Sequence, residues 1–160
     1  MRNLLLGLLL APPLALASVA AQADESSIRT HCMHEWSGDA EMRAFCEKEQ
    51  RQAARALNGY SGSIRQRCEG EWLPDYVMAL FCVKEQRSSQ AAVGNAPKDE
   101  IATRCAREWP GEYTMQEHCA KERRAAKESI ERHHSGPTRE RCEREWGTQY
   151  EMVEFCISEG

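Results

Sequence analysis

Eight cysteines constrain this chain more than any other feature. They stand at Cys32, Cys46, Cys68, Cys82, Cys105, Cys119, Cys142 and Cys156. Within each consecutive pair the separation is 14, and the pairs recur at offsets of 36, 37 and 37. A period of this length marks one supersecondary unit copied along the chain. The copies open as HCMHEW, RCEGEW, RCAREW and RCEREW, pass through short loops (SGDAE, LPDYV, PGEYT, GTQYE) and continue as MRAFCEKEQR, MALFCVKEQR, MQEHCAKERR and MVEFCISEG. Cys, Glu-Trp, Met, Cys and Glu recur in all four.

Both halves of the unit have helical periodicity. Ile28, Cys32 and Trp36 are four apart and form one stripe, as do Ile64, Cys68, Trp72 and Ile101, Cys105, Trp109. Met42, Phe45, Cys46 and Glu49 share a face in the second half. Pro74-Asp75 and Pro110-Gly111 mark breaks between the halves. Asn58-Gly59, Gly94-Asn95 with Pro97, and Ser135-Gly136-Pro137 are stop and start signals between copies. The predicted fold class is all-α: four disulfide-stapled antiparallel helical hairpins in a repeat array, over residues 24–60, 61–97, 98–136 and 137–160. The expected pairing is Cys32–Cys46, Cys68–Cys82, Cys105–Cys119 and Cys142–Cys156.

The staples answer a deficit. Residues 24–160 hold only three Leu, five Ile, four Val and three Phe. That is about 11% of the segment, below the ~20% under which a charged chain tends to disorder. Small exported domains with weak cores are commonly held by disulfides. Export itself is written at the start. Arg2, the apolar run from Leu4 and Ala21-Gln22-Ala23 read as a signal peptide over residues 1–23, cleaved before Asp24. No later segment is apolar enough to span a membrane. The expected location is therefore periplasmic or secreted.

If the cysteines of a pair face each other, Arg29 faces Glu49, Arg65 faces Glu85 and Arg139 faces Glu159, while Ala102 faces Glu122. Three opposite-charge matches in four copies are expected from this register. Glu35, Glu71, Glu108 and Glu145 recur before the tryptophan. They are expected to cap the neighbouring N-terminus of the second helix, where orphan N–H groups need acceptors.

Candidate chemistry is sparse. His31, Met33 and His34 flank Cys32 and are soft or borderline donors for copper or zinc, though an oxidised Cys32 offers no thiolate. His31 stands where other copies carry Arg67, Arg104 and Arg141. His118 replaces Phe45, Phe81 and Phe155 and is expected to be packed as they are. His133-His134 lies in a link. Structural zinc sites want closely spaced ligand pairs, and no Cys-x-x-Cys, G-x-S-x-G, phosphate loop or H-E-x-x-H occurs. Residues 24–160 carry 20 basic and 25 acidic side chains, a net charge of −5 with the signs interleaved. That argues against nucleic acid.

Disulfides stapling two antiparallel helices make the unit resemble CHCH-type twin-cysteine hairpins, with C-x13-C and one cysteine per helix in place of C-x9-C and two. The C-x-x-E-W…M-x-x-F-C unit is also similar to small exported bacterial proteins, which implies a bacterial envelope setting. The leading expectation is a non-enzymatic protein without cofactor, presenting a rigid repeat surface to a protein partner. Soft-metal binding through the first repeat stands second and an enzyme third. A binding module should show an exposed face that is alike in several repeats. A metal site should gather His and Met in the first repeat only. An enzyme should show one deep pocket with perturbed acids.

Overall fold

The computed structural model describes residues 25–160, so the signal-peptide reading lies outside the described residues. Among the described residues the chain forms eight helices: α1 (Glu25–Glu35), α2 (Ala40–Leu57), α3 (Ser63–Trp72), α4 (Tyr76–Asn95), α5 (Glu100–Glu108), α6 (Tyr113–His133), α7 (Pro137–Trp146) and α8 (Tyr150–Glu159). They pair as α1/α2, α3/α4, α5/α6 and α7/α8. The second helices then pack in series, α2 on α4, α4 on α6, α6 on α8. The fold is the expected all-α array of stapled hairpins.

All four disulfides join the two helices of one hairpin, Cys32–Cys46, Cys68–Cys82, Cys105–Cys119 and Cys142–Cys156, with Cα atoms 5.7–5.8 Å apart. The first cysteine of each pair is buried. The bridges thus sit inside, in the place of the missing aliphatics. Around them the core divides into separate clusters, not one continuous mass. Four oxidised pairs within one chain point to folding in an oxidising, extracytoplasmic setting. Among the described residues no helix is long and apolar enough to cross a membrane.

The charge register within hairpins differs from expectation. Arg65 donates to Glu69 on its own helix (2.7 Å) and to the Tyr60 carbonyl, and Arg139 does the same with Glu143 (2.7 Å) and the His134 carbonyl. Glu49, Glu85 and Glu159 have no ion pair among the described residues. A partner one turn away on the same helix is within easy reach, and it wins over one across the hairpin. Besides Arg123, which pairs with Glu108 across the third hairpin, ties that cross the hairpin come from Arg51, Arg87 and Arg124, which are equivalent in the repeat. They reach back to Glu25, to the Ser61 carbonyl and to Asp99.

The expected caps are also corrected. Asp39 and Asp75 accept from the N–H groups of Met42 and Met78, both at 3.0 Å. The shorter aspartate sits on the chain just before the helix, where its oxygen turns back onto the third N–H. The equivalent Glu112 and Gln149 cap nothing with their side chains. Glu108 is occupied instead by Arg104 and Arg123.

Successive repeats lock through three equivalent devices. Gln50, buried on α2, accepts from the Tyr76 N–H and donates to Asp75, satisfying the start of α4. Gln86 accepts from the Tyr113 N–H and donates to Glu112 and Thr114 at the start of α6. Arg123 takes the third such place and ties Glu108 to Glu151 on α8. The residue before the first cysteine also reaches the next repeat's turn in the second and third repeats. Arg67 donates to the Gly111 carbonyl (2.8 Å) and pairs with Glu112, and Arg104 donates to Thr148. Gly111 has φ +75°, and a Cβ there would lie 2.5 Å from the Arg67 guanidinium.

The third device is an aliphatic plug. Leu57, at the end of α2, is buried with Ile64, Cys68, Ala79 and Val83 of the second repeat. Ile130, near the end of α6, is buried with Cys142 and Val153 of the fourth. The equivalent residue at the joint between repeats 2 and 3 is Val93, which is only half-buried and belongs to none of the core clusters.

Candidate functional site

Each second helix carries one exposed residue at the same repeat position, directly before the second cysteine. Phe45, Phe81 and Phe155 are 56%, 56% and 59% exposed, and His118 is exposed in the third repeat. The expectation that these residues are packed is therefore corrected. Helical geometry explains the outcome. Cys46, Cys82, Cys119 and Cys156 turn toward the first helix to form the staple, and the residue before each is rotated by about 100° away from it. The position is outward because its neighbour is inward.

Charge accompanies each rung. Lys48, Lys84 and Lys121 follow at i+3, and Glu49, Glu85, Glu122 and Glu159 at i+4. None of these side chains forms an ion pair among the described residues. On the fourth rung Ser158 takes the lysine place and donates to the Phe155 carbonyl. On the second helix of repeat 2, Val77, 40% exposed, lies one turn before Phe81 and widens that rung. The result is a four-rung ladder of apolar or aromatic groups, three of them beside an uncommitted Lys/Glu pair and the fourth beside Glu159 alone. Neighbouring packed helices lie about 8–10 Å apart, which sets the spacing between rungs. Recurrent exposed apolar groups in register are a mark of contact surfaces.

The first-repeat histidines have different surroundings from one another. His31 is half-buried, and its Nε2 lies 3.9 Å from Oδ2 of Asp75 in the next repeat's turn. His34 is open to solvent beside Glu35, 3.5 Å away, and Met33 is 57% exposed. His31 thus occupies the same inter-repeat position as Arg67 and Arg104. Among the described residues no group of three or more His, Cys, Asp or Glu side chains is gathered to hold a metal ion.

The perturbed acids belong to structural ties. The Arg104 hydrogen bond, followed by that of Arg123, holds the Glu108 carboxyl below its ordinary range. The Ala102 N–H, with Arg124, does the same for Asp99. Tyr150 is pushed up to about 12, by burial first and then by its hydrogen bond to Glu100.

Sequence reasoning passed over Gln50 and Gln86. Their signal was present, since each stands four residues after a stapled cysteine and so on the inward stripe, where a polar residue needs a partner. Compared with known protein families, with curated proteins and with solved structures, the chain matches none.

Proposed function

We propose that this is a non-enzymatic exported protein, periplasmic or secreted, whose repeat array binds an envelope or extracellular protein through the ladder of Phe45, Phe81, His118 and Phe155. The observation that carries this reading is the exposure of equivalent aromatic positions in all four repeats. A chain so poor in large apolar residues that leaves all three of its phenylalanines more than half exposed is using them outside the core. The rung spacing fits an amphipathic helix, on which residues seven apart lie about 10.5 Å apart on one face. The unpaired glutamates beside each rung, with lysines beside the first three, supply polar contacts that fix register.

The test is capture from an oxidised envelope extract with the wild-type chain and with a Phe45→Ser, Phe81→Ser, Phe155→Ser variant. These side chains are exposed, so the variant is expected to keep its helix content and melting temperature. A protein retained by the wild type and lost with the variant supports the ladder. An identical set of captured proteins refutes it.

A further inference from the structure

The joint between repeats 2 and 3 encloses what the other joints fill. Repeats 2 and 4 begin alike. Gly62 and Gly136 share φ +89°, ψ −171° before the first helix, Arg65 and Arg139 fold over the link, and Leu57 and Ile130 plug the core. In repeat 3 the corresponding places hold Asp99, Ala102 and Val93, and Glu69 and Glu143 are matched by Ala106. A cavity of about 460 Å³ opens there. Its apolar wall includes Val93, Ala102 and Ala120, and the charged Glu117, Lys121 and Glu128 line it as well. A cavity of this size falls in the range of small-molecule sites, about 300–1,000 Å³.

Gln116 lines the same cavity and points to what fits. It stands where Ala79 and Val153 are buried in the second and fourth repeats, so a polar side chain replaces a core residue. It is 7% exposed. Its Nε2 donates to the Trp109 carbonyl at 2.7 Å, which fixes the amide orientation because that carbonyl only accepts. Its Oε1 has no hydrogen-bond partner among the described residues. Gln50 and Gln86, by contrast, use both ends of the amide. Among the described residues no buried side-chain nitrogen or oxygen lacks a partner, so this free acceptor keeps accessible surface where Gln116 lines the cavity.

We infer that this cavity is a binding site for a compact, uncharged, mostly apolar molecule carrying one hydrogen-bond donor. The apolar wall takes the body of the ligand, and Gln116 Oε1 accepts from its N–H or O–H. The inference is independent of the phenylalanine ladder. It uses the gap left where the plug and the arginine strap are missing.

Indole and benzothiophene are the probes, since they share a shape and only indole has an N–H. Each is titrated into the full oxidised chain by calorimetry, with ligand-observed NMR to confirm contact. Indole is expected to bind saturably with a Kd of about 1 mM or below. Benzothiophene is expected to bind roughly two- to tenfold more weakly, the loss of one hydrogen bond. Gln116→Met keeps the volume and removes the acceptor, and is expected to bring the two probes to equal affinity. Ala102→Arg with Ala106→Glu copies the strap of repeats 2 and 4 into the cavity and is expected to weaken both probes by about tenfold or more. No saturable indole binding overturns the inference. So does an equal affinity of the two probes for the wild type, or a filled variant that binds as the wild type does. If the filled variant loses its helix signal, the Gln116→Met comparison decides.

Discussion

Two joints of this array are sealed and one is open, although all three are built from the same unit. At the first and last joints a large aliphatic from one repeat, Leu57 or Ile130, is buried beneath the disulfide of the next. At the middle joint Val93 is half-buried, and the link is held instead by polar ties. Arg124 makes three hydrogen bonds of 3.0–3.2 Å to the Asp99 carboxylate and another to the Pro97 carbonyl. Asp99 in turn caps α5 through the Ala102 N–H. The lesson is that a stapled repeat tolerates a thin interface. Each hairpin is closed by its own bridge, so a joint has only to orient the next hairpin. That freedom is what leaves room for a cavity.

The largest expected effect concerns what the joints share. Each disulfide closes a loop of about 15 residues, worth about 3 kcal/mol in the chain-entropy treatment. Four approach about 12 kcal/mol, comparable to the 5–15 kcal/mol that stabilises a whole domain. Full reduction is therefore expected to remove most of the helix signal in far-UV circular dichroism. A reduced chain that keeps its helix content and melting temperature shows that the packed clusters, not the staples, hold the fold.

The next effect separates sealed from open joints. Leu57→Ala and Ile130→Ala each empty a buried plug and are expected to cost about 2–5 kcal/mol. Val93→Ala removes a half-buried side chain already facing a cavity, and is expected to cost less than about 1 kcal/mol. Urea unfolding of the three variants measures the contrast. Equal costs at all three joints erase the distinction.

The hairpins and their pairing were legible because the cysteine period, the Cys-Trp stripe and the loop residues all repeat. The exposed ladder was not. Phe45 reads as core by residue type, and only the inward turn of Cys46 for the staple sends it out. The charge register failed for a related reason: Arg65 finds Glu69 on its own helix before Glu85 across the hairpin. Links between repeats were the least legible part. They depend on Gln50 and Gln86, whose partners lie 25–28 residues away. The cavity was hidden altogether, because Ala102 and Val93 become informative only when the second and fourth repeats show what those positions do when filled.

A smaller effect sharpens the contrast between the glutamine ties of the first two joints and the Arg123 tie of the last. Arg104 and Arg123 lower the Glu108 pKa in the folded chain. A carboxylate with a depressed folded pKa stabilises fully above its unfolded value, and that contribution is lost as pH falls through the folded value. Arg123→Gln copies Gln86 and leaves Arg104 alone on Glu108. The variant is expected to lose less stability than the wild type as pH falls from about 6 to about 3, by at most about 1 kcal/mol because Glu108 is partly exposed. Parallel melting curves across that range provide the check, and an unchanged acid limb removes Arg123 from the account of Glu108.

The smallest effect returns to the first joint. His31 sits 3.9 Å from Asp75 where Arg67 pairs with Glu112 one repeat later. An imidazole 3.9 Å away makes a weaker tie than a permanent cation with a longer reach. His31→Arg thus carries the second repeat's solution into the first, and is expected to stabilise by about 0–1 kcal/mol, raising the melting temperature by up to about 4 °C. Asp75 also caps α4 and bonds Gln50, so its removal alone is destabilising for other reasons. A double-mutant cycle with Asp75→Asn cancels those costs and leaves the pairwise coupling. The gain from His31→Arg is expected to vanish in the Asp75→Asn background. A gain that survives there assigns the effect to helix propensity or solvation of α1, and the equivalence of His31 with Arg67 then fails at the one joint where a histidine replaces the arginine.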